Sequence, residues 1–109
     1  MLTKKLKDFI AKESDRLIKN YGGSSDYEKR VLSRTVKMQE EVGELCEEIL
    51  VSQNDQRKEK LKKHNQETME GEFSDVLITV MLLAEILKID LDEALNNKIK
   101  KNDKRYKKH

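Results

Sequence analysis

Apolar residues recur at helical spacing through most of this chain. Leu2, Leu6, Phe9, Ile10 and Leu17, with Glu13 and Ile18 on the same stripe, predict a helix from about Leu2 to Asn20. Gly22, Gly23, Ser24 and Ser25 end it. Ser25 followed by Glu28 has capping-box spacing, so a second helix is expected from there to about Ser52. Its expected inner face holds Leu32, Val36, Val42, Leu45 and Ile49. Ser52 to Gln56 reads as a connection. Arg57 to Gln66 is almost wholly polar, with Leu61 its large aliphatic residue, and fits a solvent-facing helical lead-in or a loop equally well. A third helix is expected over Glu67 to Lys88. It carries two adjacent apolar stripes, Val76/Val80/Leu83/Leu87 and Phe73/Leu77/Met81/Ala84. A helix apolar over so much of its circumference needs neighbours on more than one side, and a second subunit is a natural supplier. Asp90 with Glu93 is the next capping signal, starting a short fourth helix that leads into a basic tail.

Composition narrows the class. The 109 residues make one domain, with the tail at 98–109. Charged residues are 40% and hydrophobic ones 36% of the chain; there is no proline and there are four glycines, which favours long helices over hairpins. The fold class is therefore all-α, a four-helix-bundle-like arrangement. The net charge of +2 conceals an asymmetry: from Lys98 to His109 there are seven Lys or Arg and one Asp, against a net negative remainder. Cys46 is alone, so no intrachain disulfide framework exists, and it is expected to be a buried helix residue. His64 is expected to be exposed. Lys4, Lys5, Lys7 and Asp8 interrupt any apolar leader, and the run Val76 to Leu87 is too short to span a bilayer, so a cytoplasmic protein with no membrane contact is expected.

The candidate chemistry lies in two acidic clusters. Glu40, Glu41 and Glu44 occupy the second helix; Glu72 and Asp75 open the third. Glu41/Glu44 and Glu72/Asp75 are each three residues apart and so share a helical face. Brought together, the two faces would hold four carboxylates around one point, an arrangement that a hard cation makes favourable. The alternative for Glu41, Glu44 and Glu48 is a solvated face with a Lys37–Glu41 ion pair. That alternative weakens for Glu72 and Asp75, which interleave with Phe73, Val76 and Leu77. The all-oxygen set suits Mg2+, with Mn2+ as a substitute; no His or Cys set for zinc accompanies it. No glycine-rich phosphate loop is present.

These residues resemble a known family. Lys37-Met38-Gln39-Glu40-Glu41-Val42-Gly43-Glu44-Leu45 is similar to the Glu-Glu-x-x-Glu motif of the MazG-like, all-α nucleoside triphosphate pyrophosphohydrolases, and Glu72-Phe73-Ser74-Asp75 to their Glu-x-x-Asp motif. Asn97-Lys98 and Lys101-Asn102-Asp103-Lys104-Arg105-Tyr106 are similar to the family's C-terminal endings. The resemblance covers about Val36 to Tyr106. It implies a MazG-type bundle completed as a homodimer or homotetramer, and Mg2+ ligands at Glu41, Glu44, Glu72 and Asp75. It also implies that Glu40 either orients water or supports the ligands from behind them, and that Lys98 and Arg105 neutralise phosphate charge. Lys37, Asn102 and Tyr106 join those two as expected substrate-binding residues. The implied reaction cleaves a nucleoside triphosphate, canonical, non-canonical or deoxy, between its α- and β-phosphates to a monophosphate and pyrophosphate. Two departures stand out: the charged segment Asp55 to Gln66 is long, and Leu2 to Tyr21 matches no family motif.

Two other functions are weighed against this one. A non-enzymatic helical interaction protein would leave the acidic faces merely solvated. Nucleic-acid binding through the tail is disfavoured, because the acidic body would repel a phosphate backbone and no recognised DNA or RNA motif is present.

Overall fold

The computed structural model describes residues 1–22, 26–53 and 66–107. The expectations placed on Gly23 to Ser25, Asn54 to Asn65, including His64, and residues 108–109 lie outside these. Among the described residues all regular structure is helical: α1 (Lys4–Leu17), a π-helical turn (Ile18–Gly22), α2 (Tyr27–Ser52), α3 (Gln66–Ile86) and α4 (Leu91–Lys107).

Local chemistry sets the helix ends. Thr3 caps α1, its hydroxyl accepting from the Leu6 amide. Asp26, one residue after the expected Ser25, caps α2 by accepting from the Glu28 and Lys29 amides. Asp90 caps α4 as its sequence predicts, accepting from the Glu93 amide at 3.1 Å. At the end of α3 the Ile89 amide donates to the Ala84 carbonyl at 2.9 Å and the Lys88 amide to that of Glu85 at 3.1 Å. This is a Schellman motif, with Lys88 (φ 58°) in the left-handed position usually given to glycine. It sets the direction in which α4 leaves.

α2 and α3 pack antiparallel, Arg34 meeting Leu82 at one end and Glu41 meeting Glu72 and Asp75 further along. α1 lies on the C-terminal half of α3. Among the described residues the buried apolar ones are few: Ile10, Val51, Leu82 and Ala84. α2 turns a largely polar stripe inward, with Arg34, Glu41 and Glu48 buried at seven-residue intervals. Leu32, Val36 and Val42, expected inside, are instead exposed, and so is Cys46. The expected face failed because α2 has apolar residues on two sides, and α3 takes the side that carries the charges.

α4 is longer than its sequence suggested and absorbs the basic tail as helix to Lys107. Only its first two residues, Leu91 and Asp92, are half-buried; from Glu93 to Lys107 every residue is exposed. Asp92 ties this start to α1, accepting from the Leu2 amide at 2.8 Å and pairing with Lys7. That contact holds the Asp92 carboxyl below the usual aspartate range, mainly through the Lys7 hydrogen bond, and raises the Lys7 ammonium. The radius of gyration is 17.5 Å, where a compact chain of this length has about 13 Å. None of the described helices is long and apolar enough to cross a membrane.

Candidate metal centre

Helical spacing brings the two acidic motifs onto the α2–α3 seam. Glu41, Glu72 and Asp75 each offer a carboxylate oxygen, and these oxygens all lie within 4.8 Å of one another. Glu41 is 7% exposed, Glu72 is half-buried and Asp75 is exposed, so the group runs from the helix interface out to solvent. Glu44 stands at the solvent edge of this triad rather than inside it. Its charge still reaches Glu72.

The buried oxygens are incompletely satisfied. Glu41 Oε1 meets Lys37 Nζ at 3.1 Å, but Glu41 Oε2 and Glu72 Oε2 are buried with no hydrogen-bond partner. Such an atom forfeits its hydration without replacement. Burial first, and then the charges of Glu44, Asp75, Glu41 and Glu48, push the Glu72 carboxyl above the usual glutamate range. The Lys37 ammonium is raised, first by its hydrogen bond to Glu41. An oxygen-only donor set with two unsatisfied buried oxygens and several negative charges fits a hard divalent cation. Glu41, Glu72 and Asp75 would hold it, with Glu44 within reach at the edge.

The remaining expected site residues are dispersed. Lys37 sits beside the triad, and Glu40 lies 3.8 Å from its Nζ, exposed. Lys98, Asn102, Arg105 and Tyr106 are all on the exposed part of α4, and among the described residues neither Lys98 nor Arg105 forms an ion pair.

Sequence reasoning missed a second polar centre on the same seam. Arg34, 9% exposed, donates from Nη1 to the Leu82 carbonyl at 2.8 Å and to Glu85 Oε2 at 3.3 Å, and from Nη2 to Ser14 Oγ at 2.9 Å. Ser14 Oγ in turn donates to Glu85 Oε2 at 2.7 Å. Three helices are thus joined through one guanidinium. The signal available was Glu85, a lone charge inside the most apolar run of the chain, which calls for a cationic partner.

The MazG-like family model matches residues 33–109, a span that contains both acidic motifs and all of α4. Neither a curated protein nor a solved structure matches the chain.

Proposed function

The chain belongs to the MazG-like family, and on that premise we propose that it hydrolyses nucleoside triphosphates to a monophosphate and pyrophosphate with Mg2+. The family and the carboxylate triad together support a metal-dependent hydrolase. The observation that carries the reading is the pair of buried, unpartnered oxygens on Glu41 and Glu72, converging with Asp75. A solvated acidic face has no reason to bury them.

Bound at these carboxylates, Mg2+ or Mn2+ would draw negative charge from the phosphates and acidify a nearby water. The protein's own residues do the rest. Water attacks the α-phosphorus, the bond to the bridging oxygen of the β-phosphate breaks, and pyrophosphate leaves with that electron pair. Glu40, exposed beside the triad, accepts the proton of the attacking water. Lys37 keeps the carboxylates oriented and offers a positive charge at the mouth of the site. Lys98 and Arg105 neutralise the departing pyrophosphate.

The active form is a homo-oligomer, a dimer or tetramer. Large apolar residues left exposed on three helices, Leu32 and Val36 on α2, Phe73 and Leu77 on α3, and Leu95 and Ile99 on α4, support that reading. The testing experiment is a panel of canonical and modified NTPs and dNTPs with Mg2+, followed by product analysis. Monophosphate plus pyrophosphate is expected. Diphosphate plus orthophosphate would place the cut at the wrong bond, and no turnover across the panel would favour a helical interaction protein.

A further inference from the structure

The C-terminal helix and the outer face of α2 match each other. On α4, Leu95, Ile99, Asn102 and Tyr106 recur at intervals of four, three and four residues, and all are exposed, Tyr106 at 81%. This is the spacing of a coiled-coil seam, with Ile99 and Tyr106 at a and Leu95 and Asn102 at d. Lys98 and Arg105 then fall at g, on one flank of the seam.

α2 carries a seam of the same spacing on the side turned away from α3. Leu32, Val36, Gln39 and Gly43 are exposed, Leu32 at 64%, and nothing lies within 4 Å of where a Gly43 side chain would begin. Glu40 and Glu47 occupy the e flank and are also exposed. In a parallel pair, a residue at g faces one at e of the neighbouring helix. Setting Ile99 against Val36 places Leu95 on Leu32, the Asn102 amide on the Gln39 amide, and the Tyr106 ring over Gly43. In that same register Lys98 faces Glu40 and Arg105 faces Glu47. Apolar, polar, large-on-small and charged positions are all complementary at once.

Within one chain α4 leaves the bundle beyond Asp92, so a second copy is the occupant that the exposed surface requires. We propose that α4 is an exchanged arm, lying parallel on the outer face of α2 in a second copy and carrying Lys98 and Arg105 to the edge of that copy's carboxylate centre. This rests on the function proposed above for the role of the two cations, but not for the contact itself. The site is then composite: the carboxylates come from one subunit and the phosphate-facing cations from the other.

The test is disulfide trapping in the full-length protein. Cys46 is replaced by serine, and Gln39→Cys is combined with Asn102→Cys. All three positions are exposed, and circular dichroism checks that helix content is unchanged. Mild oxidation is expected to convert most of the protein to a species of twice the monomer mass on a non-reducing gel. Gln39→Cys with Lys104→Cys, on the back of α4, is expected to stay monomeric. A monomeric Gln39→Cys/Asn102→Cys product, or equal trapping in the Lys104 pair, would overturn the arm exchange. The experiment reads no hydrolysis, so its failure would leave the nucleotide reaction standing, and an inactive but trapped protein would remove the reaction alone.

Discussion

Arg34 and Glu41 sit seven residues apart on the same buried stripe of α2, yet their surroundings differ in kind. The Arg34 guanidinium has Ser14, the Leu82 carbonyl and Glu85 around it, and its charge is answered inside the fold. Around Glu41 the structure gathers further negative charge, Glu72 and Asp75, and leaves buried oxygens without donors. One region is complete as folded; the other, even with Lys37 beside Glu41, keeps an excess of negative charge and oxygens that a cation could satisfy. Buried charge is costly in either place, so the two ends should respond differently when their charges are removed.

The largest effect expected from this contrast is at the complete end. Arg34→Ala removes the guanidinium that bonds Ser14, the Leu82 carbonyl and Glu85, and should cost about 2–3 kcal/mol in urea unfolding, less than a fully buried pair because Glu85 is partly exposed. A loss under about 1 kcal/mol would show that the clamp contributes little. At the incomplete end the sign should reverse: Glu41→Gln removes one of several crowded negative charges, and metal-free stability should stay level or rise by about 1 kcal/mol.

The pH dependence should separate regions in the same way. Glu72 has a raised value in the folded state, so the native protein holds a proton that the unfolded chain releases. Metal-free stability from this group is therefore greatest below the ordinary glutamate range and falls as pH rises through the raised value. Asp92 is lowered by Lys7, so its contribution is present above the ordinary aspartate range and is lost as pH falls through the lowered value. Glu72→Gln should flatten the first slope and Asp92→Asn the second, as read by thermal melts across pH.

How much of this was legible beforehand follows from which contacts are local. Glu41/Glu44, Glu72/Asp75 and the Asp90–Glu93 cap depend on spacing within one helix, and spacing is written in the chain. The boundaries of α2 and α3 were legible for the same reason. The Arg34 clamp was not, because Ser14 and Glu85 reach it from two other helices. The inner face of α2 was misassigned at Leu32, Val36 and Val42, since apolar periodicity cannot tell a seam within one chain from a seam with another. The helical course of the basic tail was underestimated because its charge hid the Leu95–Ile99–Tyr106 spacing.

A smaller effect is expected at the turn into α4. Lys88→Gly relieves a left-handed conformation at a non-glycine residue, and after glycine's own entropic cost should stabilise the protein by about 0.5 kcal/mol. A destabilised variant would mean that the Lys88 side chain contributes contacts of its own.

The contrast between the two ends is tested most directly by calorimetric titration of Mg2+ and Mn2+ into the metal-free protein. Saturable binding is expected in the wild type, with its loss in Glu41→Gln and in Asp75→Asn while both variants remain folded. Absence of binding in the wild type, or an unchanged isotherm in both variants, would contradict the assignment of Glu41, Glu72 and Asp75 as a cation site.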